Sequence, residues 1–516
     1  MIEKVAILGA GMAGLSTALA LAPTGREILI LDRDPPPPAG GAEEAFDAWA
    51  RRGVGHLRHS HAFLARLRSL IRAEHPALLD ALRESGAREL TFQAGLPAPL
   101  QSAYLPQPED EELAVIVSRR TTMELVIRRY VESRPGVTLR PETFVDGLLS
   151  ERNIHGAPTI RGLSIQGGDD MLAEIVIDAG GRLSPAIDWL SEAGAVVSEE
   201  SEECAILYFT RFYRLIPGQG EPARGRFPGT GDLGYLKFAI FPADNGTFSI
   251  TVAVPEVEQM LRAAVVRPQV FEQICRELPG VAPWIDPQRS VAMSRVFGMG
   301  NLRNRWREMA PEGRPAVLGL FSVGDSLVRT NPLFGRGCSF AAVEAHLLRD
   351  VFLETADPAE RAKLYSAKVR AGLRPFYEDM VSQDRAAARR AVRGLDPAYR
   401  PPWRARIMRS FLEDGLAIAV RRDIALLRAA SRGFHMLAPP RGWLNRPAAL
   451  AKILTTWARG RRANAKFYAE KPGPPRAAMF NTLGLPPLAD LERVRGDGRQ
   501  DRRGGFSIPP AAPAPS

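Results

Sequence analysis

Three glycines at a fixed spacing, Gly9, Gly11 and Gly14 in the run GAGMAG, directly follow the apolar segment KVAIL at residues 4–8. In this order the first glycine permits a tight turn after a strand, and the second lets the backbone approach a pyrophosphate. The third allows the next helix to pack closely on the strand. The N-terminus of that helix then faces the phosphate charge. Asp32 ends a second apolar segment, EILILD, 18 residues after Gly14, and is placed to accept hydrogen bonds from a ribose hydroxyl. Ala13 inside the turn and Arg33 beside the acid count with them as cofactor-contacting positions. The pattern selects a dinucleotide and by itself does not separate FAD from NAD.

A second constellation, SVGDSLVRTNPLFGRGCSFAAVEA at residues 322–345, reads as strand, Gly-Asp, loop, Asn-Pro, Gly-x-Gly and helix. Its glycines expose backbone N–H groups, and the dipole of the helix from Cys338 favours negative charge at its N-terminus. Such a field suits reduced flavin, which is anionic around N1 and C2=O. Here the sequence resembles the FAD-dependent monooxygenases that share the para-hydroxybenzoate hydroxylase fold, in their epoxidase and hydroxylase-like branch. Flavin halogenases and geranylgeranyl reductases are related to that family. The resemblance implies that Asp325, with Gly324, meets the ribityl or ribose hydroxyls of a non-covalent FAD. It also implies that Asn331, Pro332, Gly335 and Gly337 lie against the isoalloxazine ring. The opening glycines would then hold only the adenosine-pyrophosphate end.

Three further blocks fit the same family. SRRTTME at 118–124 resembles its Arg-x-x-x-Glu helix start, which makes Arg120 an FAD contact, with Arg119 as the alternative. DAGGRLSP at 178–185 resembles the motif often written DG, so Asp178 is expected to serve the cofactor. The Ala-Gly-Gly after that Asp departs from the motif and leaves direct NAD(P)H binding open. GHLRHSHAFL at 55–64 resembles the Gly-Arg-His-x-His-Ala block of the epoxidase-like branch. Arg58, His59 and His61 are read as flavin-side contacts or helix-start structure. No Asp, Glu or Cys lies within that block and its His spacing mixes strand and helix periods, so no metal site is expected. Cys338 is read as a small residue packed near the ring. Phe238, Phe241 and Pro242 are read as flavin-roofing residues or as plain core. The halogenase branch is disfavoured: no Trp-x-Trp occurs, and no lysine lies between Lys4 and Lys237.

The elements that must position these residues follow from periodicity. KVAIL, EILILD, VTLR at 137–140, AEIVIDA at 173–179 and AVLGLFSV at 316–323 read as buried parallel strands. Helices are expected from the GAGMAG turn to about Leu21, from near His61, after Arg120, and from about Cys338 to Phe352. KFAIFP and TFSITVAV flank Asn245-Gly246, a hairpin signal, and mark an antiparallel sheet. The fold class is therefore α/β: a Rossmann-like FAD-binding domain built from discontinuous segments, an antiparallel-sheet substrate domain and a helical C-terminal region. The expected boundaries are 1–190 for the first part of the FAD-binding domain, with 95–112 open to assignment to the substrate domain. The substrate domain follows at 191–310, the second FAD-binding part at 311–393, a basic helical region at 394–495 and a disordered tail at 496–516.

Charge and cysteine usage bound the rest. Three cysteines far apart, Cys204, Cys275 and Cys338, argue against a disulfide framework and fit a reducing cytosol. The apolar stretch at 5–22 carries three glycines and no cleavage-site pattern, so it reads as strand and helix rather than a targeting segment. Residues 395–516 hold 22 Lys/Arg against 9 Asp/Glu, whereas the preceding 394 residues hold 46 against 49. Basicity thus belongs to the C-terminal quarter, which is expected to be solvated or to meet a peripheral membrane surface or an acidic carrier. No nucleic-acid module appears in it. Taken together the sequence implies a cytoplasmic, or membrane-peripheral, FAD-dependent monooxygenase. It would hydroxylate or epoxidise an apolar organic substrate through a flavin hydroperoxide, using dioxygen and NAD(P)H, taken directly or through a reductase. A prenyl-type flavin reductase, another FAD oxidoreductase and a non-catalytic FAD-binding protein are the alternatives.

Overall fold

The computed structural model describes residues 2–151, 156–223 and 225–500, with the side chains of 495–500 left aside. KVAIL forms strand β1 (Lys4–Leu8) and EILIL forms β2 (Glu27–Leu31), joined by helix α1 (Met12–Leu21). After a long excursion the chain adds helix α2 (Arg120–Glu132), strand β3 (Val137–Arg140) and strand β4 (Ile175–Asp178). These strands are parallel, and β1 sits between β2 and β4, with Leu8 in register with Leu31 on one side and Asp178 on the other. Because β1 has sequence neighbours leaving in opposite directions, a crevice opens beyond its C-terminal edge. Gly9, Asp32 and Ala179 all emerge there.

The second sheet is antiparallel and lies across that crevice. Its central strands are β5 (Ile206–Leu215), β6 (Lys237–Pro242) and β7 (Thr247–Pro255), flanked by Thr230–Asp232 and Ser290–Ala292. Asn245 and Gly246, both at positive φ (51° and 68°), turn the chain between β6 and β7; that twist matches the hairpin. A separate antiparallel ladder of Ser198–Glu203, Arg303–Glu308 and Val328–Arg329 links the two sheets.

The chain then returns to the parallel sheet as β8 (Leu320–Ser322), which pairs with β4 so that Ser322 lies opposite Asp178. Helix α3 (Gly337–Glu354) follows and packs on α1, and α4 (Pro358–Leu395) runs 38 residues with Pro375 inside it. The C-terminal quarter contains α5 (Trp403–Ser410), a π-helical stretch at Phe411–Leu416, α6 (Ile424–Phe434) and α7 (Pro447–Ala458).

Several expectations change. The helix expected near His61 begins at Ala65, because 55–63 is spent in turns whose side chains reach across the crevice. The basic C-terminal region packs into the rest of the chain. Met479 and Phe480 are fully buried in the core beneath β5–β7, and Arg476 donates to Glu258 there. Arg428 and Arg432 of α6 bind Asp110 and Glu112, 2.7 and 2.8 Å away. Of the tail expected to be disordered, 496–500 continue a helix from Ala489, and 501–516 lie outside the described residues.

Gly14 carries a local constraint that the motif foretells. A Cβ at this position would stand 1.9 Å from the carbonyl oxygen of Gly9, so α1 sits directly on the turn it follows. Gly14→Ala is therefore expected to cost more than about 2 kcal/mol of stability, read as a lowered midpoint in chemical unfolding. Gly11→Ala, whose Cβ meets open space, should leave the same midpoint within experimental scatter.

Candidate functional site

A single cavity of about 780 Å³ fills the crevice between the C-terminal edge of the parallel sheet and the face of the antiparallel sheet. Gly9, Gly11, Ala13, Asp32 and Arg33 line one end of it. Gly324, Asp325, Pro332, Gly335, Gly337 and Cys338 line another stretch, with His59 and Arg120 between. Phe238 and Phe241 face it from the antiparallel sheet, together with Tyr208, Thr210 and Thr251. Residues separated by more than 300 positions in sequence thus share one hollow.

Five expected contacts do not reach the cavity. Gly14 is consumed in packing against Gly9. The Arg58 guanidinium instead donates to main-chain carbonyls of Phe46 and Trp49, at 2.6 and 3.2 Å, and so fixes the preceding loop. Asp178 is buried behind the turn after β4, where it accepts from Gly180 N at 3.0 Å and Ser184 Oγ at 2.6 Å. Burial pushes its carboxyl above the usual range. Its role is to shape the Gly180–Gly181 turn, which carries Arg182 into the cavity wall. Asn331 is turned inward to the protein as well. Pro242 is not part of the wall.

At the Gly-rich end, α1 starts without a capping side chain and without an acid in its first turn. Its free N–H groups therefore offer an anion site. Asp32 accepts from Asp34 N at 3.1 Å through Oδ1, while Oδ2 lies 3.1 Å from Arg51 Nη2 without receiving a hydrogen bond. Arg51, which no motif announces, also meets Asp34 at 3.2 Å and Glu124 at 3.6 Å and donates to the Ala10 carbonyl. Glu124 in turn accepts from Arg120 Nε at 2.6 Å. A buried row of alternating charge, Asp32–Arg51–Glu124–Arg120, therefore runs beneath the cavity from one end toward the other.

Arg120 then organises the histidines. Its Nη1 donates to His56 Nε2 at 2.7 Å and to His61 Nε2 at 3.0 Å. His61 Nδ1 donates to the His59 carbonyl at 2.9 Å, which leaves Nε2 free to accept. Burial, and next the Arg120 charge, hold both rings well below the usual histidine range, so they are neutral. A guanidinium occupies the space where histidines would have to converge on a metal. His59, pushed down to about 4 by burial, takes part in a different set, with Nδ1 3.1 Å from Thr210 Oγ1. The thiol of Cys338 is pushed up to about 11 by burial, which rules out a thiolate role at neutral pH.

Asp325 faces the cavity with no hydrogen bond to its carboxylate among the described residues, and burial raises it above the usual range. It has room for hydroxyl donors. Behind it Glu344 of α3, buried and raised well above its ordinary value by that burial, accepts from Gly324 N and fixes the Gly-Asp turn. The next loop is held from outside. Asn331 Nδ2 donates to Asp384 of α4 at 2.9 Å, Asn304 Nδ2 donates to the same carboxylate at 2.7 Å, and Asn331 Oδ1 accepts from Leu333 N at 3.1 Å and from Tyr208 OH. This cluster aims Pro332–Gly337 at the cavity. Glu344 and Asp384 carry no sequence signal: no motif or spacing sets either apart from other acids on helices.

The residues present fit FAD. A free helix N-terminus and open space at Gly11 suit a pyrophosphate, an under-bonded Asp32 suits a ribose, and an Asp325 carboxylate with no hydrogen bond among the described residues suits a second polyol. A second helix N-terminus at Gly337, again without an acid in its first turn, suits an electron-rich ring.

Two outcomes follow. Arg120→Ala would leave Glu124 with Arg51 alone, at 3.6 Å, and the neutral histidines without their shared donor, a loss of about 3 kcal/mol. Chemical unfolding checks this, and an unchanged midpoint would contradict the charge row. Burial pushes Asp384 up to about 6 from an ordinary 3.8, so the folded chain binds a proton there that the unfolded chain releases. The stability this proton adds is present at low pH and is lost as pH rises through about 6. Relative to Asp384→Asn, the wild-type thermal midpoint should therefore fall as pH is raised from 4.5 to 7.5, roughly across that window. A difference that stays constant over this range would contradict it.

Comparison with known proteins agrees with this geometry. Residues 4–162 match the family described as FAD dependent oxidoreductase. No curated protein matches the sequence. Among solved structures, a variant of Pseudomonas aeruginosa PqsL is 16% identical, with a TM-score of 0.53 over 76% of this chain and 97% of its own. The p-nitrophenol 4-monooxygenase PnpA from Pseudomonas putida DLL-E4 is 16% identical, with a TM-score of 0.53 over 84% and 98%. The anhydrotetracycline hydroxylase OxyS from Streptomyces rimosus is 17% identical, with a TM-score of 0.51 over 85% and 76%. The chain has the para-hydroxybenzoate hydroxylase fold, with its FAD dependent oxidoreductase match in the segment that builds the Gly-rich end of the cavity.

Proposed function

We propose that the chain is an FAD-dependent monooxygenase that hydroxylates or epoxidises an apolar organic molecule, with NAD(P)H as the ultimate electron source. The observation that carries this reading is the continuity of the cavity. The hollow that holds the Gly-rich turn and Asp325 extends without a break to the antiparallel sheet, so a substrate can lie against the ring end. FAD, when bound, supplies the activation of dioxygen.

The protein's own side chains would bind, orient and exclude water. Gly11 and the start of α1 would take the pyrophosphate, Asp32 the ribose and Asp325 the ribityl chain. Pro332–Gly337 would carry the ring, stiffened through Asn331 by Asp384. The facing wall is suited to a neutral guest: Phe238, Phe241, Ala253, Met299 and Leu302 are apolar, and Thr210 and Thr251 are uncharged. Asp232 on that wall is paired with Lys237 at 2.5 Å and with Arg390 at 3.3 Å. Arg182 lines the cavity with no acid bound to it among the described residues, which leaves a cation available to the phosphates of FAD or NAD(P)H.

The test begins with colour: protein purified in the presence of FAD should carry a flavin absorption band. Aromatic and alkene compounds that accelerate NAD(P)H oxidation, alone or with a flavin reductase, are then turned over under isotope-labelled dioxygen. Product carrying the label is the expected result. Accelerated oxidation that yields only peroxide, or a product saturated without label, would replace monooxygenation by an oxidase or reductase reading.

A further inference from the structure

Helix α5 has an unusual property for a helix in a folded chain: none of its residues is buried. Its apolar side chains are nevertheless large. Trp403 is 59% exposed and Met408 57%, with Ile407 and, just beyond the helix, Leu412 close to half exposed. Trp403 with Ile407, and Met408 with Leu412, are spaced i,i+4, so each pair lies along one side of the helix. The segment after α5 is firmly anchored. Phe411 meets Trp457 of α7 edge-on at 5.5 Å, Gly415 is packed against the same Trp457, and Trp457 Nε1 donates to Ser410 at 3.1 Å. Helix α7, which packs here, exposes a third i,i+4 apolar pair, Leu450 and Leu454. A rigidly mounted apolar surface is therefore held out to solvent.

Its charge identifies what covers it. Arg404 and Arg406 on α5 are exposed, and neither has a carboxylate partner among the described residues; Arg404 lies 5.3 Å over the Trp403 ring. Arg446 and Arg459, at the two ends of α7, are exposed and likewise without an acid. Carboxylates nearby are already engaged: Glu413 pairs with Arg409, Asp414 with Arg461, and Asp423 with Lys452. No helix among the described residues is long and apolar enough to cross a membrane. Bulky apolar side chains, a tryptophan and unpaired arginines on a helix that cannot span together match the interfacial zone of an anionic bilayer.

We infer that α5 and the exposed edge of α7 form a docking surface for anionic lipid bilayers. Trp403, Ile407, Met408 and Leu412 would enter the headgroup boundary, and Arg404, Arg406, Arg446 and Arg459 would meet lipid phosphates. Docking there would place the protein at a lipid surface through the same helical region that contributes Phe434, at the end of α6, to the cavity wall. The inference does not depend on the redox reading, because none of the docking residues lines the cavity.

The experiment uses the full chain and extruded vesicles of phosphatidylcholine, with or without one-third phosphatidylglycerol. The expected result is co-sedimentation with the anionic vesicles, reduced at least fivefold in pure phosphatidylcholine or at high salt. A combined Trp403→Ser, Ile407→Ser and Met408→Ser variant should lose binding by a similar factor, as should Arg404→Glu with Arg406→Glu, while circular dichroism and FAD uptake match wild type. Equal partitioning to both vesicle types, or anionic-vesicle binding unaltered by both variants, would overturn the assignment. So would sedimentation velocity showing a dimer that these same substitutions dissolve, since a second copy would then cover the surface.

Discussion

The buried row Asp32–Arg51–Glu124–Arg120 is the interaction on which the site depends. Ionised groups are taken out of water here, and each alone would carry a desolvation cost of several kcal/mol. They are tolerable only because each is flanked by the opposite charge: Arg51 by Asp32 and Asp34, Glu124 by both arginines. The row fixes the spacing of three chain segments, the end of β2, the loop around residue 51 and the start of α2. Those segments define the floor of the cavity. Its far end keeps His56 and His61 neutral and oriented, so the positive end of the row is presented to the stretch of the cavity lined by Asp325 and the Gly-x-Gly loop.

The second constraint is the discontinuity of the domain. The parallel sheet needs β8, contributed more than 300 residues after β1, and β8 delivers the Gly-Asp turn and the loop after it to the same edge as the Gly-rich turn. Two buried acids on the helices behind, Glu344 and Asp384, fix that delivery by accepting from Gly324 N and from Asn331. Stability and site geometry are coupled at these points, because the bonds that close the fold also set where the cavity wall stands.

Local order was largely legible in the sequence, and tertiary partnership much less so. The strands around Gly9 and Asp32, the Asn245-Gly246 turn and helix α3 follow from apolar runs and turn residues whose physics is local. Arg120 lines the cavity, whereas Arg119 is consumed by Asp244 and Glu43. Arg58 and Asp178 show the limit. Both are polar residues in recognisable blocks, yet whether such a side chain points to a ligand or to a neighbouring loop is decided by packing that no spacing encodes. Arg51, Glu344 and Asp384 were invisible for the same reason. The helical, basic character of the C-terminal quarter is legible in its sequence, but its burial of Met479 and Phe480 in the second core has no signature in composition.

If one continuous cavity holds FAD by both ends, the adenosine at the Gly-rich turn and the ring at Pro332–Gly337, then the protein must discriminate among nucleotide cofactors by their length. Fluorescence titration of the flavin-free protein with FAD, FMN and NAD measures that discrimination. One FAD per chain is expected, bound at least about a hundredfold more tightly than FMN, which lacks the adenosine end, and not displaced by NAD at comparable concentration. FMN binding as tightly as FAD, or NAD displacing FAD from the site, would contradict it.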